Sequence, residues 1–210
     1  MLSFTRISRH ALAVSAAALT VLAVAPAPVE ARSNEVTNWS DEDFALYPTY
    51  CRARILREPP ELEAYWEKQF GPKNFLHMHH FCFGLKALNL AYANLQDAGR
   101  RTSLAQAVIG NFNYIIEHTE RDFYMRPEAL TNLGRGYVLT RQYEQARKSF
   151  QAALKLNPKS VDAWVALSDM YHQKGQYGDA MKVLEKALAE AGDSKKITLR
   201  IADMKAKGQK

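Results

Sequence analysis

Three of the chain's six histidines and one of its two cysteines lie within the stretch Phe75-Leu-His-Met-His-His-Phe-Cys-Phe-Gly84. Imidazole and thiolate are the ligands that zinc and copper prefer, so His77, His79, His80 and Cys82 form a candidate metal set. A closed zinc site needs four ligands that converge on one point. On a helix, His77 and His80 share a face with Phe81 and Gly84, while His79, Cys82 and Phe83 lie round from them, so no face presents a tetrahedral set. His10, His118 and His172 form no partner motif. No CxxC or CxxCH is present, nor GxSxG, HExxH, a phosphate-cradling glycine loop or a dinucleotide fingerprint. The residues therefore favour a protein that is not an enzyme and needs no cofactor. The apolar run Phe75, Leu76, Phe81, Phe83, Leu85 and Leu88 favours a buried helix whose imidazoles are hydrogen-bonded near the N-terminal segment. A metal-binding or metal-dependent protein using the histidine box is the alternative.

What surrounds this box decides its chemistry. Residues 1–31 place Arg6 and Arg9 before an apolar run from Ala11 to Ala25, followed by Val29-Glu30-Ala31. This is the order of a secretory signal peptide cut after Ala31, and the run is shorter than the ~20 residues of a spanning helix. The expectation is a periplasmic or secreted protein that does not span the membrane once cleaved. The whole chain carries a formal charge of +6, and cleavage would leave +5. Basic and acidic residues alternate in RQYEQARKSF and MKVLEKALAE, which describes solvated helix faces rather than a phosphate-binding stripe, so nucleic acid is not the expected partner. In an oxidising compartment Cys51 and Cys82 invite a disulfide, which would stabilise the fold by roughly 3 to 4 kcal/mol; two buried thiols are the alternative.

The C-terminal half repeats itself at an offset of 34 residues. Leu133 aligns with Leu167, Tyr137 with Tyr171, Tyr143 with Tyr177, Ala146 with Ala180, Phe150 with Leu184 and Ala153 with Ala187. Each unit reads as two amphipathic helices joined by a short polar turn. Small residues (Gly134, Ala146 and Ala153; Ser168, Ala180 and Ala187) allow helix axes to approach, and the bulky partners fill the space between. Pro127 suits an opening helical turn, and Asn157-Pro158 ends the first unit.

This pattern resembles the tetratricopeptide repeat, with signature W-x2-L-G-x2-Y, then A-x3-F-x2-A, then P. Residues 127–160 supply Leu133, Gly134, Tyr137, Ala146, Phe150, Ala153 and Pro158, with Leu130 for tryptophan. Residues 161–193 supply Trp164, Leu167 and Tyr171, with Ser168, Leu184 and Gly192 as departures. The resemblance implies an all-α solenoid of antiparallel helix hairpins that serves as a protein-interaction scaffold. Its groove, lined by the first helix of each unit, would present Glu128, Thr131, Arg135 and Val138, then Asp162, Val165, Asp169 and His172, to a protein or peptide partner. Thr131, Arg135, Ala166 and Asp169 stand where some relatives carry parts of a Lys/Asn/Arg clamp for a terminal carboxylate, so that clamp is not reproduced.

Two units seldom stand alone, because neighbouring units bury one another's faces. Residues 75–126 read as a degenerate helix pair, with helices over 75–97 and 102–119, Thr102 opening the second, and 121–125 as an insertion. Residues 32–74 read as an irregular segment with one short helix from Pro59-Pro60 to Phe70. Residues 194–210 read as a capping helix to about Lys205, with Ile197, Ile201 and Met204 on one stripe, followed by a frayed tail. An exported YPTYC element followed by HHFCFG and repeats resembles a group of bacterial envelope tetratricopeptide-repeat proteins. The expected function is that of an adaptor in the assembly of an envelope structure such as a pilus, secretion or polysaccharide-export machine.

Overall fold

The computed structural model describes residues 35–207. The signal-peptide reading of residues 1–31, His10 within it, and the last residues of the tail (208–210) fall outside the described residues. Those described form helices joined by short turns, with no strand among them. The helices are α1 (Asp41–Leu46), α2 (Thr49–Ile55), α3 (Pro60–Phe70), α4 (Pro72–Phe75), α5 (Met78–Ala93), α6 (Ala98–His118), α7 (Arg126–Leu139), α8 (Tyr143–Leu156), α9 (Val161–Gln173), α10 (Tyr177–Ala191) and α11 (Lys195–Lys207). From α5 onward each helix packs on the next, and α5–α7, α7–α9 and α9–α11 also touch. The first helices of successive units thus form one continuous layer. This is the antiparallel hairpin solenoid with a capping helix that the resemblance implies.

The N-terminal segment is more ordered than its lack of period suggests. Ser40 caps α1 through a capping box, its hydroxyl accepting from the Asp43 amide while the Asp43 carboxylate accepts from the Ser40 amide. Pro48 separates α1 from α2, and neither helix is long enough to display a repeat. Tertiary contacts hold them instead. Cys51 and Cys82 form a disulfide, both fully buried. Lys86, on α5, is 6% exposed; its ammonium pairs with Asp43 at 2.7 Å and stands over the Trp39 ring. The Arg54 guanidinium donates to the carbonyls of Phe75 and Leu76.

Two boundaries differ from the sequence reading. The helix expected over 75–97 is broken at Leu76-His77 and runs from Met78 to Ala93. The next begins at Ala98, not Thr102, because the Asp97 side chain accepts from the Arg100 amide and caps it. Thr102 lies inside that helix, its hydroxyl turned back onto the Ala98 carbonyl.

Packing within the hairpins is governed by pairs of a very small and a very large residue. A Cβ built on Gly134 would lie 2.7 and 2.8 Å from Cδ1 and Cζ of Phe150 and closer still to Cε1; one on Gly84 would lie 2.7 Å from Cε2 of Phe112. Both rings are fully buried. Gly84–Phe112 is therefore the counterpart in the first hairpin of Gly134–Phe150, although its members are 28 residues apart rather than 16. In the last hairpin Ser168 and Leu184 take these places, and the buried Ser168 hydroxyl donates to the Ala180 carbonyl. The turns also correspond. Arg141 and Gly175, 34 residues apart, both have positive φ (59° and 73°), and the following amides, of Gln142 and Gln176, return to the carbonyls of Tyr137 and Tyr171.

The core falls into two clusters. One gathers the disulfide, Tyr50, Phe70, Phe75, Phe81 and Phe112; the other gathers Phe150, Trp164, Leu167, Met170 and Leu184. Tyr137, half-buried, packs against both. Helix α11 buries Ile197 and Met204, leaves Leu199 exposed, and continues two residues beyond the expected Lys205.

Candidate functional site

The layer made by α5, α7 and α9 contains a depression of about 460 Å³. Helix α5 contributes Leu85, Leu88 and Asn89; α7 contributes Glu128, Thr131, Asn132 and Arg135; α9 contributes Asp162. Tyr124, 60% exposed, stands at its edge on the turn before α7. Four of the eight groove residues expected from the repeat positions, Glu128, Thr131, Arg135 and Asp162, thus line one surface. Within it Thr131 is 1% exposed, and its hydroxyl is spent on the Pro127 carbonyl, so it shapes the floor and offers no free polar group.

The charged groups here are not equivalent. Asp162 pairs with Lys196 of α11; burial pushes its carboxyl up, but the bond to Lys196 holds it below the ordinary value. Burial raises the Glu128 carboxyl, and the nearby Asp162 adds to the effect. Arg135 donates from Nη1 to Asn132 Oδ1 at 2.6 Å and makes no ion pair among the described residues, although Glu128, Asp162 and Asp169 all feel its charge. Asn132, 1% exposed, uses its carbonyl oxygen on Arg135, and its buried Nδ2 has no hydrogen-bond partner. A guanidinium with its hydrogen-bonding fork largely unspent, beside apolar Leu85 and Leu88, is suited to a carboxylate or a row of backbone carbonyls.

The other four expected residues are placed differently. Val165 is 6% exposed and belongs to the core of the last hairpin, because α9 is buried on two sides. Val138 lies in a separate depression near the α7–α8 turn with Tyr92 and Tyr143. Asp169 is held by Arg200 of α11 through both carboxylate oxygens, at 2.8 and 3.0 Å. Burial raises its carboxyl despite that partner. His172 rests edge-on against Tyr177, with a buried and unpartnered Nε2. The cap therefore occupies part of the surface that repeat positions alone would leave to a partner. Asn132 and Tyr124 escape the sequence reading, and Leu85 and Leu88 enter it only as part of a buried apolar run, not as groove residues.

The histidine box makes a second cluster, against α6 rather than the N-terminal segment. Tyr114 is sandwiched between His80 and His118, each stacked on it with ring centroids 3.8 Å apart, and its hydroxyl approaches His77 Nδ1 at 3.3 Å. His80 Nδ1 is 2.8 Å from Asn111 Oδ1, and His118 Nδ1 lies 2.9 Å from the Tyr114 carbonyl. Burial lowers the pKa of His77, with His118 and His80 adding to the effect. Burial, reinforced by His80 and Arg54, takes His79 down to about 4. Cys82, the sulfur of the candidate metal set, is consumed by its bond to Cys51. No three His, Cys, Asp or Glu side chains among the described residues are placed to hold a metal ion. His77, His80 and His118 serve ring stacking and hydrogen bonding around Tyr114 where the start of α5 meets α6, whereas His79 packs on His80 and Phe83 with its buried Nδ1 unpartnered.

Hairpins in register, a shared first-helix layer and a groove across it define a repeat-type binding module. Residues 131–195 match the family model described as tetratricopeptide repeat, so the chain contains a protein–protein interaction domain of that kind. No curated protein matches the chain. No helix among the described residues is long and apolar enough to cross a membrane.

Proposed function

We propose that the protein is an exported adaptor whose first-helix groove holds a segment of another protein during assembly of a cell-envelope structure, such as a pilus, secretion or polysaccharide-export machine. The observation that carries the groove assignment is Arg135: a half-buried cation between α5 and α9, free of any ion pair among the described residues, with apolar Leu85 and Leu88 across from it. The export reading is supported by the arrangement of residues 1–31 and by the disulfide, a bond that persists in oxidising compartments. The role in envelope assembly is supported by that compartment together with the scaffold character of the repeats. Affinity capture from envelope extract with the mature chain tests it, alongside R135E and E128K. The expected result is a set of partners retained by the wild type and lost from both variants. An identical capture profile for all three proteins removes the groove from the account.

A further inference from the structure

The layer of second helices is built differently from the layer of first helices. Helices α7 and α9 pack together more closely than α8 and α10 do, and a trough of about 490 Å³ lies between the latter two. Its floor is one stripe of α9, formed by Trp164, Leu167 and Tyr171 at the i, i+3, i+7 spacing of a helix face. The Trp164 indole N–H donates to the Pro158 carbonyl at 2.8 Å, which fixes the ring in place. Leu154 and Val183 add hydrocarbon to the two walls.

The rim of this trough is basic. Lys155 stands on the α8 wall, and Lys182 and Lys186 stand one helical turn apart on the α10 wall; all three are exposed. Lys155 and Lys186 make no ion pair among the described residues, and Lys182 reaches Asp179 only at 3.8 Å. Lys186 is suspended over the Trp164 ring, 5.7 Å from its centroid. Against these three cations the lining contains one acid, Glu190. An apolar floor bounded on both sides by cations has a definite complement: an apolar stripe bounded on both sides by carboxylates. The spacing of Lys182 and Lys186 matches carboxylates at i and i+4 of a helix.

From this geometry we infer that the α8–α10 trough is a second docking surface, on the second-helix side of the solenoid, for an acidic amphipathic helix of a partner protein. It is independent of the groove around Arg135. The probe is a fluorescein-labelled synthetic peptide with leucines at i, i+3, i+4 and i+7 and glutamates flanking them, titrated against the full mature chain by fluorescence anisotropy. Controls are the same composition scrambled and a version with lysine in place of glutamate. The wild type is expected to bind the acidic helix and neither control. The variant K155E/K182E/K186E, whose changes are all on exposed side chains, is expected to lose binding at least tenfold while keeping its circular dichroism, and R135E is expected to bind as the wild type does. Failure of the peptide to bind, equal binding by the triple variant, or loss only in R135E would each overturn the inference. So would two other occupants of the trough. The first is sedimentation with phosphatidylglycerol vesicles, abolished by the triple substitution, when the peptide does not bind; the second is a dimer of the wild type that the triple variant cannot form.

Discussion

Replacing Gly134 by alanine sets two calculable effects against each other. In a helix interior the change gains about 1 kcal/mol of propensity, because glycine surrenders more backbone freedom. The new methyl, however, would meet three atoms of the Phe150 ring at less than 3 Å, and that ring is fully buried with no room to withdraw. Overpacking of this kind costs typically 1 to 3 kcal/mol, and contact with a buried ring puts Gly134 near the upper end, at about 3 kcal/mol. The net expectation is destabilisation by about 1 to 2 kcal/mol, a fall in Tm of about 2 to 8 °C for a chain of this size. Gly110, on the exposed side of α6 with nothing within 4 Å, supplies the control: G110A feels only the propensity gain and should raise Tm by about 2 to 4 °C. Phe150→Leu recreates the size pairing of Ser168 with Leu184 in the last hairpin. In a double-mutant cycle G134A and F150L should therefore couple favourably by about 1 to 2 kcal/mol. Urea and thermal unfolding followed by circular dichroism measure all four proteins. If G134A is as stable as G110A, or the cycle shows no coupling, the small–large pair does not control hairpin packing.

Two further outcomes follow from the N-terminal half. Reduction of the Cys51–Cys82 disulfide, which closes a loop with a sequence separation of 31, should cost about 3 to 4 kcal/mol, read as a lower urea midpoint in dithiothreitol; the fluorescence of Trp39 and Trp66 should change before that of Trp164, and coincident midpoints with and without reductant would contradict this. His79 should make stability depend on pH. Because burial holds the folded imidazole at about 4 and it titrates near 6.5 when unfolded, its neutral form supports the fold fully above about pH 6.5, and that support is lost as pH falls toward 4. A fully buried ring would forfeit about 3 kcal/mol; partial solvent access reduces this to about 1 to 2 kcal/mol, and H79F should flatten the slope of unfolding free energy between pH 7 and pH 4.5 by that amount.

The hairpins from Pro127 onward were legible because packing there is periodic: small and bulky apolar positions recur every 34 residues even where the residue changes, as from Gly134 to Ser168 and Phe150 to Leu184, and solvent-facing positions vary between them. The Gly84–Phe112 pair obeys the same rule but escapes an offset search, since α6 is 21 residues long and displaces the partner ring along the chain. Helices α1 and α2 carry no period because a part-buried ion pair, a disulfide and a cap specify them; the ion pair and the disulfide join residues distant in sequence, and the cap is a single local contact with nothing to repeat. The groove was legible only in outline. Repeat positions identify which residues of α7 and α9 face the first-helix layer, but not that α11 reaches across to Asp162 and Asp169 or that α9 turns Val165 inward. Tyr114 was invisible as the centre of the histidine cluster because the stack joins α5 to the far end of α6.

Helix α9 is a partition with a different surface on each side. Its Trp164, Leu167 and Tyr171 floor the lysine-rimmed trough, while Asp162 faces the Arg135 depression, and only the diameter of one helix, about 10 Å, divides them. One helix thus supplies the floor of the trough and a wall of the depression, so a substitution that unfolds α9 would remove both surfaces at once.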